Sequence, residues 1–323
     1  MTRRFAAIAP AMLGILLVAA PVSAQQYPSR TVTIIVPFPA GGPTDETARV
    51  VAHSLSAKLK QNFIVENVSG GNIGSRKVAR AASDGYTLLL HNTQISINAT
   101  LYKNIPFDTA KDFAPVMLIN RNPMILVGRK SLKPNTLTEL VALMKKELLT
   151  AAISGYGVSG HLLTTLLAQE AKVKVNQIPY RGGAPAMTDL LGGHVDLFFA
   201  TPQQVVQQVA TGGLKAYGVT SKEGLPELPG VENFVKVFGP KFDVVYWQAL
   251  FAPAGTPDAV IKTLNDALQE TVSDPAIVKT WAAQGVSVFP KDQRSPAAAS
   301  ALLQSEITRW GQVIRDNDIY IDQ

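Results

Sequence analysis

Cysteine is absent from this sequence of 323 residues. Its absence excludes disulfides, thiolate metal sites, cysteine nucleophiles and attachment of a lipid to an N-terminal cysteine. Histidine is scarce as well, and its four copies, at positions 53, 91, 161 and 194, show no spacing typical of metal ligands. We therefore expect no metal centre.

Charged side chains are also few, at 17% of the chain, and the basic ones form no block. Proteins that bind nucleic acids concentrate lysine and arginine in one stripe or segment. The formal net charge of +6 therefore does not indicate a nucleic-acid partner. Hydrophobic residues make up 46%, which predicts a sizeable core, and the length suits two domains better than one.

Long apolar runs are missing except at the N-terminus. There, two arginines precede the apolar segment FAAIAPAMLGILLVAAP, and the small residues VSA end at Ala24. This order is typical of a secretory signal peptide that is cleaved after Ala24. A membrane anchor is the alternative, but a span needs about 20 apolar residues, and two prolines interrupt this one. We expect residues 1–24 to be removed and the mature protein to be soluble in the periplasm.

Strand-like and helix-like patterns alternate along the rest of the chain. The β-branched run TVTIIV is followed by the helical pattern DETARVVAHSLSAKL, and a similar alternation restarts near residue 125. This pattern predicts an α/β fold of two lobes. We expect residues 25–124 and 246–323 to form the first lobe and residues 125–245 the second. A cleft between the lobes is the expected place for a small-molecule site.

The segment PFPAGGPTDETAR, residues 37–49, joins the first predicted strand to the first predicted helix. Its Gly-Gly turn presents backbone N–H groups at the positive end of a helix dipole, which suits an anion. Asp45 has two interpretations. It could favour the dipole as a carboxylate of the first helical turn. It could instead face an amine, a hydroxyl or an ordered water on the ligand, because a bare carboxylate would repel a bound anion.

The segment SGYGVSGH, residues 154–161, is a second glycine loop between a predicted strand and a helix. It contains G-x-G-x-x-G, but a dinucleotide site also needs an acidic residue after the next strand, where this chain has Arg181. No cofactor is therefore expected. Ser159 and His161 raise a hydrolase as an alternative, although residues two apart in a helix do not face each other. More simply, Ser159 caps a helix and His161 orients the loop.

The segment PYRGG, residues 179–183, ends another predicted strand in a glycine turn. Arg181 could pair with an anion or be a solvated surface charge, and we favour the surface. Tyr180 is more often a packing residue than a ligand contact, although one aromatic wall is common in pockets.

Several motifs, in their order and spacing, carry a resemblance to a known family. They are VPFPAGGPTDETAR, VEN, DGYTLLL, NATLYKNIPFDTAKDFAPV, SGYGVSGHL, PYRGGAPAMTDLLGGHVDLFF, FAPAGTP and ITRWGQVIRDNDI. The mature chain resembles the solute receptors of tripartite tricarboxylate transporters, also called Bug-type receptors. The resemblance implies a type II periplasmic-binding-protein fold that closes on a small organic carboxylate and delivers it to membrane permease subunits. It implies no catalysis, and we expect a monomer.

The resemblance also implies which loops hold the ligand. Residues 38–45 and 154–161 grip it from opposite lobes, residues 180–182 form a third ligand loop, and the loop after the third strand lines the cleft. The predicted ligand-binding residues are Phe38, Ala40, Gly41, Gly42, Asp45, Thr93, Ser96, Ser154, Gly157, Ser159, His161, Tyr180 and Gly182.

Some positions depart from the family's pattern, mainly in the second lobe. Val158 stands where a hydroxyl residue is usual, and ENFVK, residues 232–236, replaces P-T-x-x-E. Val158 favours a ligand with an apolar body, while the second change could alter ligand choice, hinge contacts or the surface that the permease contacts. Dicarboxylates, tricarboxylates, aromatic acids and amino acids stay open as ligands. A secreted hydrolase using Ser159 and a sensor for a signalling partner stay open as functions.

Overall fold

The structure is a computed structural model that describes residues 27–70 and 72–321. The predicted signal peptide, residues 1–24, lies outside the described residues. Within the described ranges, none of the helices combines the length and the apolar character that a membrane span requires.

Strands and helices alternate through the described chain, as the sequence pattern predicts. The strands are β1 (Val32–Val36), β2 (Phe63–Asn67), β3 (Thr87–Asn92), β4 (Phe113–Pro123), β5 (Ile125–Arg129), β6 (Leu149–Ile153), β7 (Val175–Pro179), β8 (Leu197–Ala200), β9 (Leu214–Val219), β10 (Val245–Pro253) and β11 (Ser287–Val288). The helices are α1 (Pro43–Leu59), α2 (Asn72–Ala79), α3 (Gln94–Leu101), α4 (Leu137–Met144), α5 (Ser159–Ala171), α6 (Gly183–Gly192), α7 (Pro202–Ala210), α8 (Phe234–Phe238), α9 (Asp258–Thr271), α10 (Pro275–Ala282) and α11 (Pro296–Asp316).

The strands form two sheets, one in each lobe. The first lobe has the strand order β11-β4-β10-β3-β1-β2, and the second has β7-β6-β8-β5-β9. In the first sheet β1 runs parallel to β2 and β3, while β10 runs antiparallel to β3 and β4. The chain enters the second sheet between β4 and β5 and returns between β9 and β10. The predicted boundaries, after residues 124 and 245, fall beside these two crossings.

Each sheet is buried on both faces, which explains why its strands read as almost continuous apolar runs. Along β1, Ile34 packs into the cluster beneath α1 and α9, whereas its neighbour Ile35 packs into the cluster on the opposite face. In β8, Phe198 and Phe199 likewise belong to different clusters. Each such fully buried side chain contributes about 1.5–3 kcal/mol to stability.

Two helices of the first lobe reach into the core of the second. Leu101 of α3 and Trp310 of α11 belong to the same apolar cluster as the second lobe's α5. The carboxylate of Glu306 accepts hydrogen bonds from the indoles of Trp310 at 2.9 Å and Trp247 at 3.3 Å. A buried charge needs such partners, and these two fasten α11 to β10, the strand by which the chain re-enters the first sheet.

Candidate functional site

A cavity of about 300 Å³ lies between the lobes. It is bordered by the segments that follow the ends of β1, β3, β6, β7 and β8, together with Tyr246 near the start of β10. Ligands of open α/β sheets bind outside the carboxyl ends of the strands, because the loops that follow the strands converge there. The cavity therefore occupies the position that the sequence pattern predicts.

Four helices begin at this cavity. The N-cap positions are Gly42 for α1, Val158 for α5, Gly182 for α6 and Thr201 for α7, and all four residues line the cavity. The first N–H groups of a helix have no partner inside it and carry partial positive charge. Four such ends around one space make it suited to an anion. The sequence patterns assign the starts of α1, α5 and α6 to ligand loops; the segment TPQQVVQQVATGG also predicts α7 with Thr201 as its cap, but not its place at the cavity.

Two charged residues occur among the residues that line the cavity, Glu46 from the first lobe and Arg181 from the second. Both side chains are exposed. Arg181 is solvated, in agreement with the favoured interpretation, and it also borders the cavity, so that pairing with an anion stays a prediction. The rest of the lining is neutral, and Val158, Met124 and Phe38 give it an apolar share.

The first glycine loop is held by the helix that follows it. The Asp45 carboxylate accepts hydrogen bonds from the backbone N–H of Gly41, from Arg49 Nε and from Asn67 Nδ2, each at 2.9 Å. Its residue is only 2% exposed and is not among those that line the cavity. Asp45 lies in the first turn of α1, in agreement with the first interpretation. Its side chain also fastens the loop, and it is not placed among the residues that could face an amine or a hydroxyl of a ligand.

The electrostatics of Asp45 agree with this role. Burial disfavours its charged form, but the hydrogen bonds from Arg49, the Gly41 N–H and Asn67 outweigh that effect and lower the pKa of the carboxyl. A lowered pKa means that this stabilisation is complete at neutral pH and is lost as the pH falls through the folded-state pKa.

We expect Asp45→Asn to weaken all ligands in parallel. The amide can accept hydrogen bonds through only one atom, so at least one of the three donors loses its charged partner, at a cost of about 1.5–3 kcal/mol in unfolding free energy. Urea unfolding should show this loss at pH 7 and a smaller one in acid. Calorimetry across a ligand panel should give the same ratio of variant to wild-type Kd for every ligand. A change in Kd confined to some ligands would contradict the role assigned to Asp45.

The start of α1 is also fixed by side chains of β3 and β10. The Thr44 hydroxyl shares a hydrogen bond with the Tyr246 hydroxyl at 2.9 Å and accepts another from Asn92 Nδ2 at 3.0 Å. Gln248 Nε2 donates to the Pro43 carbonyl at 3.2 Å. Burial raises the pKa of Tyr246 to about 12, so it stays a neutral hydrogen-bonding group. Thr44, Asn92 and Tyr246 all line the cavity.

The second glycine loop is held in the same manner. The backbone N–H of Gly157 donates to Nδ1 of His161 at 3.1 Å, and burial lowers the pKa of His161 to about 4, which keeps the ring neutral. Ser159 lines the cavity at the start of α5, whereas His161 is not among the lining residues. Within the described chain, Ser159 and His161 share no hydrogen bond, and Nδ1 of His161 is engaged by the loop.

The structure brings seven of the thirteen predicted ligand residues to the cavity. These seven are Phe38, Ala40, Gly41, Gly42, Ser154, Ser159 and Gly182. Asp45, Gly157 and His161 support the two loops from behind.

The other three predicted residues have partners elsewhere. Thr93 Oγ1 accepts from the backbone N–H of Trp247 at 2.9 Å, and Ser96 donates to the Thr93 carbonyl at 2.6 Å. Tyr180 donates to Asp189 at 2.6 Å and packs on the second lobe's core. Sequence position alone identifies these loops but not the direction in which each side chain points.

The ENFVK segment contributes Phe234 to the core behind the cavity, whereas Lys236 is exposed. Glu232 accepts from the backbone N–H of Leu137 at 3.0 Å, at the start of α4. The buried ring of Phe234 lies 5.5 Å from that of Phe199, which borders the cavity, and 5.1 Å from Phe242. Phe234 of this segment therefore lies one layer behind the ligand space, and Lys236 stays available at the surface. In the part of the chain that the structure describes, no group of three or more potential metal ligands occurs.

The chain is similar to binding proteins over most of its length. A sequence profile described as "Tripartite tricarboxylate transporter family receptor" matches residues 47–319. Protein BugT of Bordetella pertussis is 35% identical, with 95% of this chain and 96% of that protein covered. The structure of the periplasmic binding protein BugD is 35% identical, with a TM-score of 0.85 and coverage of 92% of this chain and 100% of that one.

A third similar protein was solved with a ligand. MatC from Rhodopseudomonas palustris, with bound malate, is 32% identical at a TM-score of 0.83, and the match covers 89% of this chain and 100% of MatC. These neighbours confirm the predicted two-lobe α/β fold of periplasmic binding proteins.

Proposed function

The chain belongs to the receptor family of tripartite tricarboxylate transporters, and from this premise we propose that it captures a small organic carboxylate between its lobes and presents it to the membrane permease subunits. The observation that carries the proposal is the meeting of four helix N-termini at one cavity between the lobes. The malate bound to MatC is consistent with a ligand of this class.

The binding step is electrostatic. In α1, Pro43 has no N–H and the Glu46 N–H bonds to the Gly42 carbonyl, so the Thr44 and Asp45 N–H groups are the donors that helix geometry leaves free. They, and the Ser159 and Gly160 N–H groups at the start of α5 in the other lobe, donate charge-assisted hydrogen bonds to the carboxylate. Closure of the lobes removes water, lowers the local dielectric and strengthens these bonds.

The ligand contacts follow from the same geometry. We assign them to the seven predicted residues that border the cavity and add Thr44, Asn92, Tyr246 and Arg181. The two lobes comprise residues 25–124 with 246–323, and residues 125–245. The protein acts as a monomer in the periplasm after removal of residues 1–24.

No chemical step is part of this function. Ser159 serves as a helix-start donor, and the Nδ1 atom of His161 is occupied by the Gly157 N–H. A secreted hydrolase using Ser159 remains the second candidate because that residue borders the cavity.

A thermal-shift screen of organic acids against their uncharged amides tests the proposal. A ligand at 100 times its Kd stabilises the folded protein by about 2.7 kcal/mol, so the best acid should raise the melting temperature by several degrees. Its amide should not, because the amide lacks the charge that the helix ends recognise. Equal shifts for acid and amide would contradict the proposal. Ester turnover that disappears in Ser159→Ala would favour the hydrolase.

A further inference from the structure

Two neighbouring acids at the start of α1 have opposite surroundings. Asp45 is buried and saturated by three donors, while Glu46 is exposed and borders the cavity. Partial desolvation, together with the charge of Asp45, raises the pKa of Glu46. Among the residues that the structure describes, no side chain pairs with the Glu46 carboxylate. Of the two acids, Glu46 is therefore the one among the residues that line the ligand space.

The nearby cations do not neutralise Glu46. Arg49, one helical turn along α1, is engaged by Asp45 and Asn67 at 2.9 and 3.2 Å. Arg181 borders the same cavity from the opposite lobe, and within the described ranges it too has no acidic partner. The two lobes thus present unlike charges to one space.

The helix ends add to this asymmetry. The second lobe contributes Arg181 and the starts of α5, α6 and α7, whereas the first contributes Glu46 and the start of α1. A carboxylate is stabilised by positive helix ends and by arginine, and it is repelled by a second carboxylate at short range. Within the cavity, the position beside Glu46 is therefore unfavourable for a ligand carboxylate.

We infer that the ligand carries, besides its carboxylate, an amino or hydroxyl group that donates to Glu46, and that Glu46 selects for this donor. The inference rests on the proposed function and deepens it. A ligand without a donor leaves the Glu46 carboxylate unpaired when the lobes close and water leaves, which is costly for a charged group. A ligand with a donor converts the same charge into a charged hydrogen bond.

The experiment compares matched acids that differ at one position. Straight-chain mono- and dicarboxylic acids of three to six carbons, each with hydrogen, hydroxyl or ammonium at C2, are titrated by calorimetry at pH 7.5 and fixed salt. Against the wild type, the acids with a donor should bind at least about tenfold more tightly than their C2-hydrogen counterparts, which is the lower end for a hydrogen bond to a charged group.

In Glu46→Gln this preference should fall to less than about threefold. The C2-hydrogen acids should bind to the variant as tightly as to the wild type, or more tightly. Glu223→Gln is the matched control, because it removes the same charge from an exposed side chain of the second lobe. It should keep the wild-type preference. The melting temperature of the unliganded variants shows that both are folded.

Other outcomes would overturn the inference. Equal weakening of every acid in Glu46→Gln would mean that Glu46 acts in closure, for example by pairing with Arg181, and does not select the ligand. A wild type that binds acids without preferring a donor would overturn this inference and leave the receptor function standing. Absence of binding by every acid of this panel would overturn the inference, whereas the receptor function is tested by the wider thermal-shift screen.

Discussion

Gly42→Val is expected to weaken every ligand by at least about a hundredfold while the fold is kept. Gly42 has φ −92° and ψ 167°, an extended conformation that any residue adopts. A Cβ at this position would meet nothing closer than the Pro39 carbonyl oxygen at 3.7 Å, so valine is tolerated by the protein itself. Its branched side chain instead enters the cavity that Gly42 borders. Loss of two charged hydrogen bonds, each about 1.5–3 kcal/mol, gives the hundredfold estimate.

Calorimetry and urea unfolding together test this expectation. The matched control is Gly230→Ala, since Gly230 has φ +86°, free space around its Cβ position and no place in the cavity lining. That change should cost about 1–2 kcal/mol of stability through the left-handed conformation without filling the cavity by bulk. Unchanged affinity in Gly42→Val would show that the turn is structural only.

In contrast to Gly42→Val, Gly157→Ala should mainly lower the free energy of unfolding, and weaker ligand binding should follow from that loss. Its added Cβ would lie 2.0 Å from Cδ2 of Leu101 in α3, and its φ is +74°. Overpacking costs about 1–3 kcal/mol and the left-handed conformation about 1–2 kcal/mol, so we expect a loss of about 2–5 kcal/mol. Relief of the clash must move the loop away from α3, and ligand binding should weaken with it.

The neighbouring Gly155 separates the two causes. It has φ +135°, but its Cβ would meet only Val158 Cγ1 at 3.8 Å. Gly155→Ala should therefore show the conformational cost without the clash. Urea midpoints compare the two variants. When Leu101 is already alanine, adding Gly157→Ala should cost only the conformational part of the stability, because the Cδ2 atom that causes the clash is absent. Equal midpoints for the two single variants would contradict the close packing of Gly157 on α3.

Much of the architecture follows from local sequence patterns. Apolar β-branched strands followed by amphipathic helices predict the α/β class, and the restart of this pattern predicts the second lobe. The position of β10 in the middle of the first sheet could not be derived in that way. Its pairing with β3 joins Leu250 to Leu90, and such distant contacts are set by tertiary packing.

The site residues also divide into those that local sequence features identify and those that only tertiary packing brings together. The glycine loops are local features, and the sequence places both of them at the cleft. Asp45 and His161 each stand four residues after the glycine whose N–H they accept, a spacing that could have indicated support from behind. No local signal identifies Asn92 and Tyr246, since they meet Thr44 from 48 and 202 residues away.

The N–H groups of Gly41 and Gly157 are satisfied by the protein's own side chains before any ligand arrives. Both loops are therefore ordered before the ligand binds, and binding does not have to compensate for the loss of conformational entropy that ordering a loop would cost. In the proposed function, the step that follows ligand entry is closure of the lobes. The association rate should then be governed by diffusion to an open cleft, and the residence time by how often the lobes reopen.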